Sequence, residues 1–213
     1  MTFSPAPSWT ADYLAHLGMA AEPPSLPALH RLIVAQVVGV TFENVTSLCR
    51  AAAALSGPLA PLDPQAALAA WQAGEAGGVC YEAAGMFYRL LLALGYDVQP
   101  VLGAIAFPGS HQASVVTLPE GRYLADVGCG APILQAVPLS TTTELHHAGL
   151  GFRYRRGDTP DSLVQERLID GKWTSFCTYD LRPATADGLA LAFARHHTAG
   201  ESWVTTTLSL VRC

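Results

Sequence analysis

The hydrophobic period of this chain changes at Gly95, and that change restricts the fold more than any other feature. Before it, apolar residues recur at helical spacing. Trp9, Tyr13, Leu14 and Leu17 form one stripe, with Gly18 as a C-cap. Ser25 precedes a second stripe of Leu26, Leu29, Ile33 and Val37, and Pro27 is tolerated in a first helical turn. Residues 51–64, with Pro58, Pro61 and Pro64, read as a connector, and a short helix spans 64–71. Gly77-Gly78-Val79-Cys80 then opens a long helix with Val79, Ala83, Phe87, Leu90, Leu91 and Leu94 on its buried stripe. After Gly95 the pattern is that of strands, over 98–107, 111–117 and 122–127, with Pro119-Glu120-Gly121 as the turn between the last two. Residues 162–169 and 172–179 make a hairpin around Asp170-Gly171. A helix over 187–197 and a strand over 203–211 close the chain. Helices followed by antiparallel strands give an α+β fold class.

Composition excludes several kinds of protein. Half of the 213 residues are apolar and 14% are charged, so the chain buries a core and is not disordered. A net charge of -5 argues against binding nucleic acid or an anionic membrane. The most apolar stretches are broken by Gln36 and Arg89, well short of the roughly 20 residues a membrane span needs. The first seven residues lack a basic patch and an apolar core, so no signal peptide is read and a cytoplasmic location is expected. Five widely spaced cysteines, none at CxxC spacing, disfavour both a disulfide framework and a zinc site. His146-His147 and His196-His197 have no partner at ligand spacing, so no metal is expected.

Three residues carry the chemistry. Cys80 starts a helix after two glycines, where the helix dipole and free N–H groups stabilise a thiolate. His111 begins a strand, and Asp126 lies in the apolar run of the next one, where a buried carboxylate needs a partner. A hairpin turning at 118–121 sets Thr117 opposite Arg122 and Ala113 opposite Asp126. His111 is then on the same face as Asp126, as a diagonal neighbour about 7 Å away at the backbone, with only the small Ala113 between them. A carboxylate in that place fixes the imidazole tautomer and stabilises the imidazolium.

The segments Gly77-Gly78-Val79-Cys80-Tyr81-Glu82, His111, and Asp126-Val127-Gly128-Cys129-Gly130 resemble, in that order, the motifs of the arylamine N-acetyltransferases. Tyr13-Leu14-Ala15-His16-Leu17-Gly18, Leu29-His30-Arg31, Thr41-Phe42-Glu43-Asn44 and residues 189–211 are similar to further parts of that family. The resemblance implies an N-terminal helical bundle, an antiparallel β-barrel-like sheet and a shortened C-terminal α/β lid around a cysteine-protease-like core. The expected domains are 1–86, 87–180 and 181–213. It also implies a catalytic triad, with Cys80 as nucleophile, His111 as base and acid, and Asp126 as orienter. Phe42, Tyr81, Gly128 and Cys129 are assigned to the substrate pocket. The implied reaction takes an acyl group from a thioester onto Cys80 and passes it to an amine. No cofactor is expected to be bound; acetyl-CoA or a carrier-protein thioester is the acyl donor. The partners are then a small-molecule or carrier-bound thioester, an acyl carrier protein in the second case, and a second copy of the chain.

Three departures from the family bear on substrate. Ala76 stands where the family has Arg, which leaves Glu43 or Glu82 either without a partner or with Arg31 or Arg50. The stretch from Cys80 to His111 is shorter, and the chain stops near the strand after the last helix. A trimmed loop and a shortened lid suggest an open site, which suits a chain-releasing amide synthase or a Dieckmann-type cyclase acting on carrier-bound chains. A transglutaminase-like or papain-like peptidase shares the residue order, but the Phe42-Glu43-Asn44 element argues against it. Arg153, Arg155 and Arg156 read as a solvated strand face, with a CoA or pantetheine phosphate as the alternative. Cys49, Cys177 and Cys213 read as structural or incidental.

Overall fold

The computed structural model describes residues 7–54, 62–75, 77–198 and 200–211. Five helices come first: α1 (Trp9–His16), α2 (Leu26–Gly39), α3 (Val45–Ala54), α4 (Pro64–Gln72) and α5 (Cys80–Ala93), with a two-residue strand β1 (Phe42–Glu43) before α3. Their starts follow capping chemistry. Ser25 Oγ accepts from Ala28 N–H at α2, and Asp63 Oδ1 accepts from Gln65 N–H at α4, each with a proline in the first turn. Val79 has no acceptor to offer at the start of α5. There Glu82, one turn on, bonds back to the Val79 N–H at 3.1 Å. Helix α3 runs to Ala54, four residues into the stretch expected as a connector; residues 55–61 lie outside the described residues.

Eight strands form one antiparallel sheet: β2 (Asp97–Ala104), β3 (Pro108–Leu118), β4 (Gly121–Ala125), β5 (Val137–Pro138), β6 (Thr143–His147), β7 (Leu150–Arg156), β8 (Ser162–Ile169) and β9 (Lys172–Asp180). Their order is β5-β4-β3-β2-β9-β8-β7-β6. Alternation along the strands sorts two cores. Val101, Ala113, Val115, Leu124, Val137, Leu145, Phe152, Leu163 and Tyr179 come from all eight strands yet pack into one cluster, which requires the sheet to curl on itself like a barrel. Val116, Leu118, Tyr123 and Ala125, on the other face of β3 and β4, pack against Leu29, Ile33, Phe87 and Leu91 of the helices. The Asp170-Gly171 turn is as expected: both residues have positive φ, as a two-residue hairpin loop of the primed type needs.

The C-terminal segment differs from its expected form. Helix α6 (Ala186–His196) is present, but residues 203–211 are not one strand. They form a 3₁₀ turn (Trp203–Thr205) and a two-residue strand β10 (Leu210–Val211) paired with β1. The reason is Asn44, which is fully buried. Its side chain donates to Val204 O and Thr207 O and accepts from Ser209 N–H, so it satisfies backbone groups that a long strand would have paired in a sheet. Among the described residues no helix is long and apolar enough to cross a membrane. Cys49, Cys80, Cys129 and Cys177 are free thiols, and Cys213 lies outside the described residues.

Candidate active site

Cys80 is the first residue of α5, so its N–H and those after it lack intrahelical acceptors. The loop before it is held by the carboxylate of Glu43, which accepts from Gly77 N–H, Thr46 N–H and Thr46 Oγ1. Gly78 has φ +140°, and a Cβ there would lie 2.5 Å from Glu82 Cβ, so only glycine lets Glu82 close the cap. Glu82 also pairs with Arg50, which settles which arginine serves it; Arg31 pairs instead with Glu22. Ala76 lies outside the described residues.

The β3–β4 register matches the expected one, with Thr117 opposite Arg122 and Ser114 opposite Ala125. It puts His111 and Asp126 on the inner face of the barrel. His111 Nε2 and Asp126 Oδ2 are 2.9 Å apart, and both side chains are 1% exposed. Asp126 accepts two further hydrogen bonds, from Tyr179 Oη at 2.6 Å and from Gly128 N–H at 3.1 Å. Burial alone would raise its pKa, but the charge and hydrogen bond of His111, then Tyr179 and Gly128, bring it below the ordinary value. His111 shows the converse. Burial disfavours its cation, yet Asp126 and Cys80 hold the imidazolium well above its usual range. Gly128 brings this strand end against the thiol: a Cβ there would lie 2.7 Å from Cys80 Cα.

A second imidazole meets the same thiol from α6. His196, 2% exposed, donates from Nε2 to Ser110 O at 2.6 Å, and its Nδ1 is 2.7 Å from Ser202 Oγ. The Cys80 thiol points to that same carbonyl at 3.9 Å. Ser110 is itself fixed, because its Oγ accepts from the N–H groups of Ile105, Ala106 and Phe107 in the β2–β3 turn. Burial pushes the Cys80 thiol up. Hydrogen bonding to His111 and to His196, and then their charge, more than reverse this and bring it down to about 6. A thiol at about 6 is mostly thiolate at neutral pH, so the arrangement is able to attack an electrophilic carbonyl.

Cys80, His111 and His196 line a cavity of about 240 Å³, together with Phe42, Arg167 and Trp203. Of the residues expected in the pocket, Phe42, Gly128 and Cys129 line it. Tyr81 does not: it is 4% exposed, donates its hydroxyl to Gly109 O and packs its ring on Phe193 and His196. The site is also more covered than expected. Cys80 is 5% exposed, because α6 and residues 203–211 pack over it. Sequence reasoning missed His196, Ser202, Tyr179 and Arg167. The only local signal was Ala192 and His196 one turn apart on the buried side of α6; nothing in the chain ties Tyr179 to Asp126, 53 residues away.

A family model described as N-acetyltransferase matches residues 25–213. An arylamine N-acetyltransferase of Mycolicibacterium smegmatis is 30% identical over 189 residues, covering 80% of this chain and 64% of that protein. This chain therefore spans under two thirds of that relative's length. The solved arylamine N-acetyltransferase of Mycobacterium abscessus superposes with a TM-score of 0.85 at 25% identity, over 96% of this chain and 74% of that one. The Mycobacterium marinum enzyme, solved in complex with CoA, superposes with a TM-score of 0.78 at 26% identity, over 94% of this chain and 76% of that one. With the helices, the barrel-like sheet and the order of motifs in agreement, the chain belongs to the arylamine N-acetyltransferase family.

Proposed function

We propose that this protein transfers an acyl group from a thioester donor to an amine through an acyl-enzyme on Cys80, with His111 and Asp126 completing the catalytic triad. One observation carries the reading: a buried thiol at a helix start shares a cavity with an imidazole whose far nitrogen is held by a buried carboxylate. The thiolate attacks the thioester carbonyl, and the donor sulfur leaves as a thiolate that takes a proton from the His111 imidazolium. The acyl group is now a thioester on Sγ. An amine attacks that carbonyl while neutral His111 accepts its proton, and the amide departs as the Cys80 thiolate and His111 imidazolium are restored. Asp126 remains ionised throughout and holds the imidazole in one orientation. Because a thioester is exchanged for a thioester, the first step is close to thermoneutral. Acetyl-CoA is the donor supported by the relative solved with CoA.

Intact mass spectrometry after incubation with acetyl-CoA tests this. An acetyl-sized adduct is expected, mapped to Cys80, absent from Cys80→Ala and discharged by an aromatic amine. Acyl transfer that persists in folded Cys80→Ala overturns the reading.

A further inference from the structure

The hairpin of β8 and β9 separates its charges by face. Glu166 points outward, where it binds Arg153 Nε at 2.6 Å and Arg155 Nε at 3.1 Å. Of the three arginines read from sequence as a solvated strand face, or alternatively a phosphate site, Arg153 and Arg155 are thus held there by a carboxylate. Gln165 and Arg167 sit on either side of Glu166 and so point to the inner face, as do their β7 partners Tyr154 and Phe152. Arg167 emerges at the mouth of the barrel in the cavity that holds Cys80. Its guanidinium lies over the Phe176 ring, 3.3 Å from the centroid, and Nη2 donates to Cys129 Sγ at 3.2 Å. Its Nε is buried without an acceptor, and no carboxylate lies within ion-pair distance of it among the described residues. Among the described residues no acidic side chain lines the cavity, and the nearby Asp126 is committed to His111, Tyr179 and Gly128. Cys129 does not supply the missing charge, because burial, then the charge of Asp126, raises its thiol and keeps it protonated.

A guanidinium in a partly dry cavity without a counter-ion is costly, and its fork of donors matches a planar carboxylate. We propose that Arg167 is the anion-binding residue of the cavity, and that the substrate reacting there carries a carboxylate a few bonds from the reacting atoms. This rests on the reading of Cys80 as the acyl carrier. Position decides the kind of anion. Arg167 and Cys80 line one small cavity, whereas the diphosphate of CoA is a whole pantetheine arm from its sulfur. The carboxylate therefore belongs to the acceptor or to the acyl chain. The aromatic walls, Phe42, Phe176 and Trp203, suit a flat apolar body between that carboxylate and the reacting atom.

The test compares benzoate with benzamide as protectants of Cys80 against alkylation by iodoacetamide, in wild type and in Arg167→Met, whose unbranched stem still covers Phe176. Benzoate is expected to protect wild type at concentrations roughly tenfold lower than benzamide, and the ratio is expected to fall to about one in Arg167→Met. Each ratio is taken within one variant, so a partly unfolded population cancels. Two further arms locate the carboxylate. Faster acylation of Cys80 by malonyl-CoA than by acetyl-CoA places it on the acyl chain; faster turnover of 4-aminobenzoate than of 4-aminobenzamide places it on the acceptor. Equal protection by benzoate and benzamide in wild type, an advantage that survives Arg167→Met, or no preference in either arm overturns the proposal. Those results leave the acetyl adduct on Cys80 untouched, so this inference and the acyl-enzyme reading fail separately.

Discussion

Two imidazoles approach Cys80, and they are held in opposite ways. His111 comes from the β3–β4 hairpin and is bonded to a carboxylate, so it is stabilised as a cation. His196 comes from the end of α6 and is bonded to a carbonyl and a hydroxyl, neutral groups that fix its orientation without adding charge. Its pKa is nonetheless raised: burial lowers it, but hydrogen bonding and charge from Cys80, then Ser110 O, outweigh that effect. The difference separates two tasks. A group that must take and return a proton benefits from a charged partner, whereas a group that helps hold a thiolate needs only a fixed N–H and a dry setting.

That comparison breaks in a definite order. Removing the base has the largest effect: His111→Ala is expected to slow acyl transfer by about 10²–10⁴-fold, measured as single-turnover formation and discharge of the Cys80 adduct. Asp126→Asn keeps the shape but removes the charge that favours the imidazolium. The alkylation–pH curve of Cys80 should then inflect at higher pH, and an unmoved inflection would show that Asp126 does not act through His111.

The wild-type curve itself gives the next check. Alkylation is expected to inflect at about 6, slow below it where the thiol is protonated and fast above it. His196→Phe should move that inflection upward, toward the ordinary value of 9.0, while leaving the His111–Asp126 pair in place. The groups around His196 that bear on the result are the thiol, His111, the Ser110 carbonyl, Ser202, and the rings of Tyr81 and Phe107. Were His196 only a packing residue, the variant would melt earlier with its inflection unchanged.

Smaller effects test the supports of each imidazole. Tyr179→Phe removes one donor from the Asp126 carboxylate and is expected to cost about 1.5–3 kcal/mol in denaturant unfolding. Asn44→Ala leaves the backbone groups of residues 204–209 without partners, at about 1–3 kcal/mol, and should loosen the segment that carries Ser202. If the two imidazoles are independently held, Asn44→Ala affects the His196 contribution to the inflection and leaves the His111 contribution intact.

The His111–Asp126 pair was legible because it is local. Fifteen residues, a tight turn and a period of two place both side chains on one face. The start of α5 was legible for the same reason, since Gly78, Glu82 and Cys80 act within one helical turn. The extended reading of 203–211 failed because β-type composition does not reveal whether a sheet edge is available; Asn44, some 160 residues earlier, bonds that backbone instead. Short-range spacing tests His196 only as a metal ligand and says nothing of its hydrogen-bond partners, which are Ser110, 86 residues away, and Ser202 beyond the helix end.

The amino-acid sequence by itself determined the α+β order, the face on which His111 meets Asp126, and the helix start that presents Cys80. These are consequences of short-range periodicity, capping and turn chemistry. Only the tertiary structure decided that a second imidazole flanks the thiol, that Tyr179 bonds Asp126 across the barrel, and that Arg167 faces the cavity while Arg153 and Arg155 face Glu166 outside it. Those depend on how the sheet curls and where α6 packs. Both are set by burying apolar surface from segments far apart in the chain, a non-directional force that leaves no local pattern.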